Sequence, residues 1–259
     1  MAERTGYVAG TPSWVDLGSP DLDAAKAFYG GLFGWEFGET DPNAGGYTMA
    51  TVRGKNVAGL LNQMDPSQPP FWATYVSVDD ADGVAKLVAD NGGTVLVPPM
   101  DVFDSGRMAV FLDPEGTAIG VWQPAAHIGA QLVNEHGTVT WNELATRDPD
   151  QAAAFYTTVF GWGADEEDFA PGVRYTQWKV GGESVGGMIA MDETWPAEIA
   201  AHWMVYFAVD DVDAAAAKVT DLGGNVHVAP SDIPPGRFSV VSDPQGTHFS
   251  LIKMNEPAS

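Results

Sequence analysis

Cysteine is absent from this 259-residue chain. That excludes disulfide staples, thiol nucleophiles, iron–sulfur clusters and cysteine-type zinc sites, and it leaves the redox compartment unconstrained. Basic residues are scarce: 12 Lys and Arg stand against 35 Asp and Glu, a formal net charge of −23 with the five histidines neutral. A surface this negative repels phosphate backbones and anionic headgroups, so nucleic-acid and membrane partners are disfavoured, and neutral or cationic small molecules or other proteins are favoured. No run of about eighteen apolar residues occurs, and the first twenty residues hold no basic segment followed by an apolar one. The expectation is a soluble, cytoplasmic protein. Nucleophile motifs, Gly-rich phosphate loops and zinc-protease motifs are also missing, which disfavours covalent catalysis and nucleotide use.

What is present is a globular balance, 45% hydrophobic and 18% charged, in a length that suits one large domain or two of about 130 residues. A half of that size is large enough to bury a core of its own. An internal repeat decides for two. Trp14, Asp16, Leu17, Phe28, Tyr29, Phe33, Gly34 and Trp35 return 127 positions later as Trp141, Glu143, Leu144, Phe155, Tyr156, Phe160, Gly161 and Trp162. Trp72, Tyr75, Val78-Asp79-Asp80 and Gly92-Gly93 return as Trp203, Tyr206, Val209-Asp210-Asp211 and Gly223-Gly224. Gly106-Arg107 and Asp113-Pro114-Glu115-Gly116-Thr117 return as Gly236-Arg237 and Asp243-Pro244-Gln245-Gly246-Thr247. The join falls within 124–137, and the domains are read as 1–127 and 128–259.

Each half changes period in the same order. Ser13–Gly18 reads as a strand, Pro20-Asp21 as turn and cap, and Leu22, Ala25, Phe28, Tyr29 and Leu32 fall at helical spacing until Gly34. Three short strands follow, separated by Gly, Pro and Asn turns. From Phe71 the pattern restarts, with a helix from Asp80 to Asn91 and three more strands. The fold class is therefore α+β, four βαβββ units in two tandem halves.

In this order, and twice over, the pieces resemble the vicinal oxygen chelate superfamily, which includes glyoxalase I, bleomycin-resistance proteins and extradiol dioxygenases. They are a strand, Pro-Asp, a helix reaching Phe-Tyr and Phe-Gly-Trp, then Val-Asp-Asp, Gly-Gly and Asp-Pro-x-Gly-Thr. The resemblance runs from about Pro12 to Trp122 and from Val139 to Met254. It is nearest to tandem actinobacterial proteins with glyoxalase-like or hydroxylase labels, including accessory proteins of aromatic polyketide pathways. It implies that each pair of units curls around a concave ligand face. It also implies four metal-ligand positions per half, and these fall on Trp14, Ala73 and Gly120, with the fourth near Leu60, and on Trp141, Met204 and Ser250, with the fourth near Met188. None carries imidazole or carboxylate, so no metal and no other cofactor is expected. A displaced set of His202, His248 and Glu143 stays open, because residues two apart share a strand face.

Trp14 and Trp141 at the vacated positions, with Trp122 on an inward face, suit a flat apolar ligand or simply plug the cavity. Tyr75 and Tyr206 share that inward parity and serve either the core or a ligand hydrogen bond. Asp16 and Glu143 put a carboxylate on the same face, where burial raises the pKa and suits a general base or an anchor for a cation, unless Arg107, Arg237 or backbone amides tie them up. Arg107 and Arg237 act as salt-bridge residues or cap a ligand oxygen at the pocket mouth. His202 and His248 are expected in the pocket wall, and His127, His136 and His227 without a role.

Three readings follow. The first is a metal-independent protein that binds an aromatic metabolite or antibiotic. The second is a metal-free tailoring enzyme or hydroxylation accessory of aromatic polyketide biosynthesis, with Asp16 or Glu143 as acid or base. The third is a metal-dependent glyoxalase-type lyase or dioxygenase. The chain is expected as a monomeric pseudo-dimer or as a homodimer.

Overall fold

The computed structural model describes residues 3–40, 45–63, 65, 67–170 and 172–255. The first unit holds β1 (Pro12–Ser19), α1 (Leu22–Phe33), β2 (Glu36–Phe37), β3 (Thr48–Val52) and β4 (Lys55–Asn62). The second holds β5 (Phe71–Ser77), α2 (Ala81–Asp90), β6 (Thr94–Val102), β7 (Gly106–Leu112) and β8 (Ala118–Pro124). The second half repeats the order with β9 (Val139–Thr146), α3 (Pro149–Phe160), β10 (Gly163–Ala170), β11 (Val173–Val180) and β12 (Glu183–Ala190). It ends with β13 (His202–Ala208), α4 (Val212–Asp221), β14 (Asn225–Ile233), β15 (Gly236–Ser242) and β16 (His248–Met254). These are the four expected βαβββ units. No helix among the described residues is long and apolar enough to cross a membrane.

Local chemistry sets the helix ends. Asp21, Asp80, Asp148 and Asp211 each cap a helix N-terminus by accepting backbone N–H bonds, which satisfies donors the helix itself leaves free. Gly34 and Gly161 close α1 and α3 in the left-handed region, at φ 70° and 69°, where a Cβ is disfavoured.

Each half pairs its own strands. One eight-stranded sheet runs β2-β3-β4-β1-β5-β8-β7-β6 and the other β10-β11-β12-β9-β13-β16-β15-β14. β1 lies parallel to β4 and antiparallel to β5. β9 makes the same pairings with β12 and β13. Met49 near one end of the first sheet and Met108 and Val102 near the other pack against one cluster with Trp14, Tyr75 and Trp122. Strands so far apart in the order meet there only because the sheet is curled.

Although each half is large enough for a core of its own, the two cores are shared between the halves. One core joins α1, β1 and β4 of the first half to α4, β13 and β16 of the second through Phe28, Tyr29, Phe33, Phe207 and Phe249. The other joins α2, β5 and β8 to α3, β9 and β12 through Val76, Phe111, Phe155, Tyr156 and Trp178. The reason is amphipathic: each helix has more apolar face than its own sheet covers, and the partner half supplies the rest.

The repeated motifs lock this arrangement. Asp113 accepts backbone bonds from Glu115 and Thr117 with one carboxylate oxygen, and with the other a 2.9 Å bond from Tyr156 Oη in the other half. Asp243 does the same for Gln245, Thr247 and Tyr29 Oη, the last at 3.1 Å. Trp72 and Trp203 donate their indole N–H to Tyr29 and Tyr156. Thus the Phe-Tyr and Asp-Pro-x-Gly-Thr segments serve the joint between halves.

Candidate ligand site

Strand alternation separates two faces of β1. Val15 and Leu17 enter the shared core, so Trp14 and Asp16 point to the opposite, inner face of the curled sheet. Trp14 pairs across the strands with Tyr75, and Asp16 lies opposite Ala73 on one side and Gly59 on the other. Tyr47, beside β3, completes the group: Trp14 Nε1 donates to Tyr47 Oη at 2.8 Å, and the hydroxyls of Tyr75 and Tyr47 both hydrogen-bond the Asp16 carboxylate. Burial dominates and pushes Asp16 up to about 7, against the opposing effect of the two hydroxyls. The same burial, with the nearby carboxylate, holds both phenols in their protonated form.

The second half builds the same cluster. Trp141 Nε1 donates to Tyr175 Oη at 3.0 Å and Tyr206 Oη to Glu143 Oε1 at 2.7 Å. Tyr175 also bonds Glu143, whose pKa burial raises despite the two hydroxyls. Each cluster is an indole–phenol chain ending on a carboxylate whose pKa burial raises. That arrangement suits proton exchange or an anchoring hydrogen bond.

The family's metal does not fit. A Cβ on Gly59 would lie 1.9 Å from Tyr47 Oη, one on Gly187 2.0 Å from Tyr175 Oη, and one on Gly120 2.3 Å from the Tyr75 ring. Space that a ligating side chain would need is filled by phenols, which present hydrogens. Leu60 and Met188, near which the fourth ligand position is expected, lie in the shared cores, and the inner-face positions are Gly59 and Gly187. Among the described residues no three His, Asp or Glu side chains gather to hold a metal ion, so the displaced set of His202, His248 and Glu143 does not form.

The two faces differ in cover. In the first half the chain after β8 folds back: Trp122 Nε1 donates to the His127 carbonyl at 2.7 Å, and the His127 ring meets Trp14 edge-on at 4.5 Å. Ala130 joins Trp14, Tyr75 and Trp122 in one buried cluster, and Asp16 is left 8% exposed. His127, expected without a role, helps to close this face, and burial lowers its pKa to about 4. In the second half Trp141 and Glu143 are only half-buried, and Trp122 has Ile252 as its counterpart.

Of the two roles expected for Arg107 and Arg237, the structure displays the salt bridge. Arg107 pairs with Asp82 of α2 and Asp101 of β6, and Arg237 with Asp213 of α4 and Asp232 of β14. Their strand parity turns them toward the helices, away from Asp16 and Glu143. His202 is half-buried and His248 exposed at the start of β13 and β16. His136 accepts the Asp210 N–H at 3.2 Å in a loop.

Sequence reasoning missed Tyr47 and Tyr175. The signal was there: Tyr-Thr recurs at 47–48 and 175–176, with the same offset of 128 that relates Gly59 to Gly187.

The family model described as Glyoxalase/Bleomycin resistance protein/Dioxygenase superfamily matches residues 11–121 and 136–251. The chain is 48% identical over 260 residues to the glyoxylase-named protein CFP32 of Mycobacterium tuberculosis, covering 98% of each. It is 39% identical over 267 residues to the anthracycline biosynthesis protein DnrV of Streptomyces peucetius, covering 97% of this chain and 96% of that one. Among solved structures, the Mn(II)-bound glyoxalase of Novosphingobium aromaticivorans superposes with a TM-score of 0.67 at 16% identity, covering 99% of this chain and 84% of that one. The 2,3-dioxygenase LapB of Pseudomonas sp. KL28 superposes at 0.65 and 17% identity, covering 96% and 93%. At these identities the solved structures speak for the fold.

Proposed function

The chain belongs to the glyoxalase/bleomycin resistance protein/dioxygenase superfamily, and we propose that it binds a planar aromatic small molecule without a metal ion, chiefly on the inner face of the second half. The observation that carries this reading is the filling of the ligand positions by Tyr47, Tyr175, Trp14 and Trp141 around Asp16 and Glu143. Indole and phenol faces favour a flat apolar ligand, and the carboxylate–tyrosine pair supplies a polar anchor. Similarity across nearly the full length to a protein named for anthracycline biosynthesis supports a polycyclic aromatic ligand. The locked halves support a pseudo-dimeric chain.

A second reading, a metal-free tailoring enzyme, is favoured by one feature: the raised pKa of Asp16 and Glu143 suits acid–base work. One experiment addresses both. Calorimetric titration with 2,6-dihydroxyanthraquinone should give saturable binding that Trp141→Ala weakens about tenfold, by loss of stacking. Unchanged affinity in Trp141→Ala contradicts the site assignment. Turnover that disappears in Glu143→Gln, with binding retained, favours the enzyme.

A further inference from the structure

Three of the five histidines stand toward one end of the second half's inner face, at a place that neither cluster uses. His227 and His248 rings lie 4.5 Å apart, tilted by 36°. His227 Nε2 is 2.9 Å from Ser242 Oγ, and Ser242 is the cross-strand partner of His248. His202 is close enough to His248 to influence its charge. The register ties this group to the second site: Met204 lies opposite Glu143 and His202 opposite Ala145, so His202 is two residues, about 7 Å, further along the same inner face. His248 stands two residues before Ser250, the partner of Tyr206.

The first half has nothing comparable. The repeat sets Phe71, Leu96 and Ala118 against His202, His227 and His248, and Phe71 and Leu96 are 48% and 56% exposed. The imidazole group therefore belongs to the half whose inner face is the less covered of the two.

Its chemistry is that of hydrogen-bonding groups. His202 Nδ1 lies 2.9 Å from the Ala200 carbonyl, which can only accept, so Nδ1 carries a proton and Nε2 is the ring nitrogen left for a ligand. Partial desolvation of the ring, followed by the neighbouring His227 and His202, lowers the pKa of His248, with the Gly246 amide and Asp243 opposing. A neutral imidazole offers one donor and one acceptor, the complement of a hydroxyl group.

We propose that His202, His227 and His248 form a polar lip on the second site that reads hydroxyl groups, accepting their hydrogens, at the edge of a planar ligand and so determines specificity. The proposal rests on the aromatic-binding reading above. Its test titrates the full chain with 2,6-dihydroxyanthraquinone and with 2,6-dimethoxyanthraquinone, in which the hydroxyl hydrogens are blocked. The double variant His202→Ala/His248→Ala should lose about tenfold in affinity for the dihydroxy probe and less than about twofold for the dimethoxy probe. His248→Gln, which keeps a donor and an acceptor, should retain most of the affinity. Phe71→Ala, at the matching place in the first half, should leave both affinities unchanged. Unaltered melting temperatures would exclude a folding defect. Equal losses for the two probes, or no loss for either, overturn the lip and leave the aromatic reading standing. Failure of the parent protein to bind either probe overturns both.

Discussion

The hydroxyl of Tyr47 occupies the space above Gly59: a Cβ at Gly59 would sit 1.9 Å from it. The strand partner of Asp16 has no side chain, and the phenol that fills the gap bonds Asp16 instead. Gly187 and Tyr175 repeat the relation beside Glu143 at 2.0 Å. A superfamily fold that elsewhere holds a metal here holds an internal tyrosine–carboxylate pair.

Gly59→Ala and Gly187→Ala should each expel the facing phenol and destabilise the protein by about 1–3 kcal/mol through overpacking. Urea unfolding measures the loss. Tyr47→Phe in the Gly59→Ala background should recover part of it, since it removes the nearest of the clashing atoms and leaves the ring carbons to shift. Wild-type stability in Gly59→Ala would contradict this geometry.

Asp16 gives the protein a pH-dependent stability of definite sign. Its pKa rises from 3.8 to about 7 on folding, so between about pH 4 and 7 the folded state holds a proton that the unfolded state has released. Stability should therefore fall as pH rises through that window and level off above it. Glu143 and Asp113 shift in the same direction, also by burial. Asp16→Asn should flatten the slope; denaturation curves at pH 4, 5, 6, 7 and 8 compare the two proteins, and equal slopes would refute the assignment.

The reciprocal bonds from Tyr156 to Asp113 and from Tyr29 to Asp243 should make the halves interdependent. Tyr156→Phe leaves Asp113 short of a buried donor and Trp203 without its acceptor, at a cost of about 1–3 kcal/mol. A fragment of residues 1–127 lacks half of both cores and should not fold as a monomer, which its circular dichroism and hydrodynamic radius would reveal.

Much of this fold was legible in the sequence, because the repeat, the Asp caps and the left-handed Gly34 and Gly161 are local signals with local causes. The inner-face parity of Trp14, Asp16, Trp141 and Glu143 followed from strand alternation alone. Three features were not legible. Whether Phe28 packs on its own sheet or on Phe249 of the other half depends on how two sheets dock. Tyr47 lies 31 residues from Asp16 in a stretch where the halves differ in length, so its approach through the gap at Gly59 needs the register. The His127 plug comes from a join with no periodicity to read. Arg107 and Arg237 show the converse: their salt-bridge role was one of two alternatives open from the sequence, and parity counted along β7 and β15 turns them to the helices and favours it.

Metal should leave the protein unmoved. An ion bound at a hundredfold excess over its dissociation constant would stabilise the folded state by about 2.7 kcal/mol, so thermal melts of chelator-treated protein with added Mn(II), Zn(II), Ni(II) or Fe(II) should coincide with the metal-free curve. A rise in melting temperature specific to one ion would restore the third reading.

The most direct measurement is a calorimetric titration of chelator-treated protein with 2,6-dihydroxyanthraquinone, repeated with Mn(II) in excess. The account predicts saturable binding, with the same affinity in both titrations. Binding that appears only after the metal is added would contradict it.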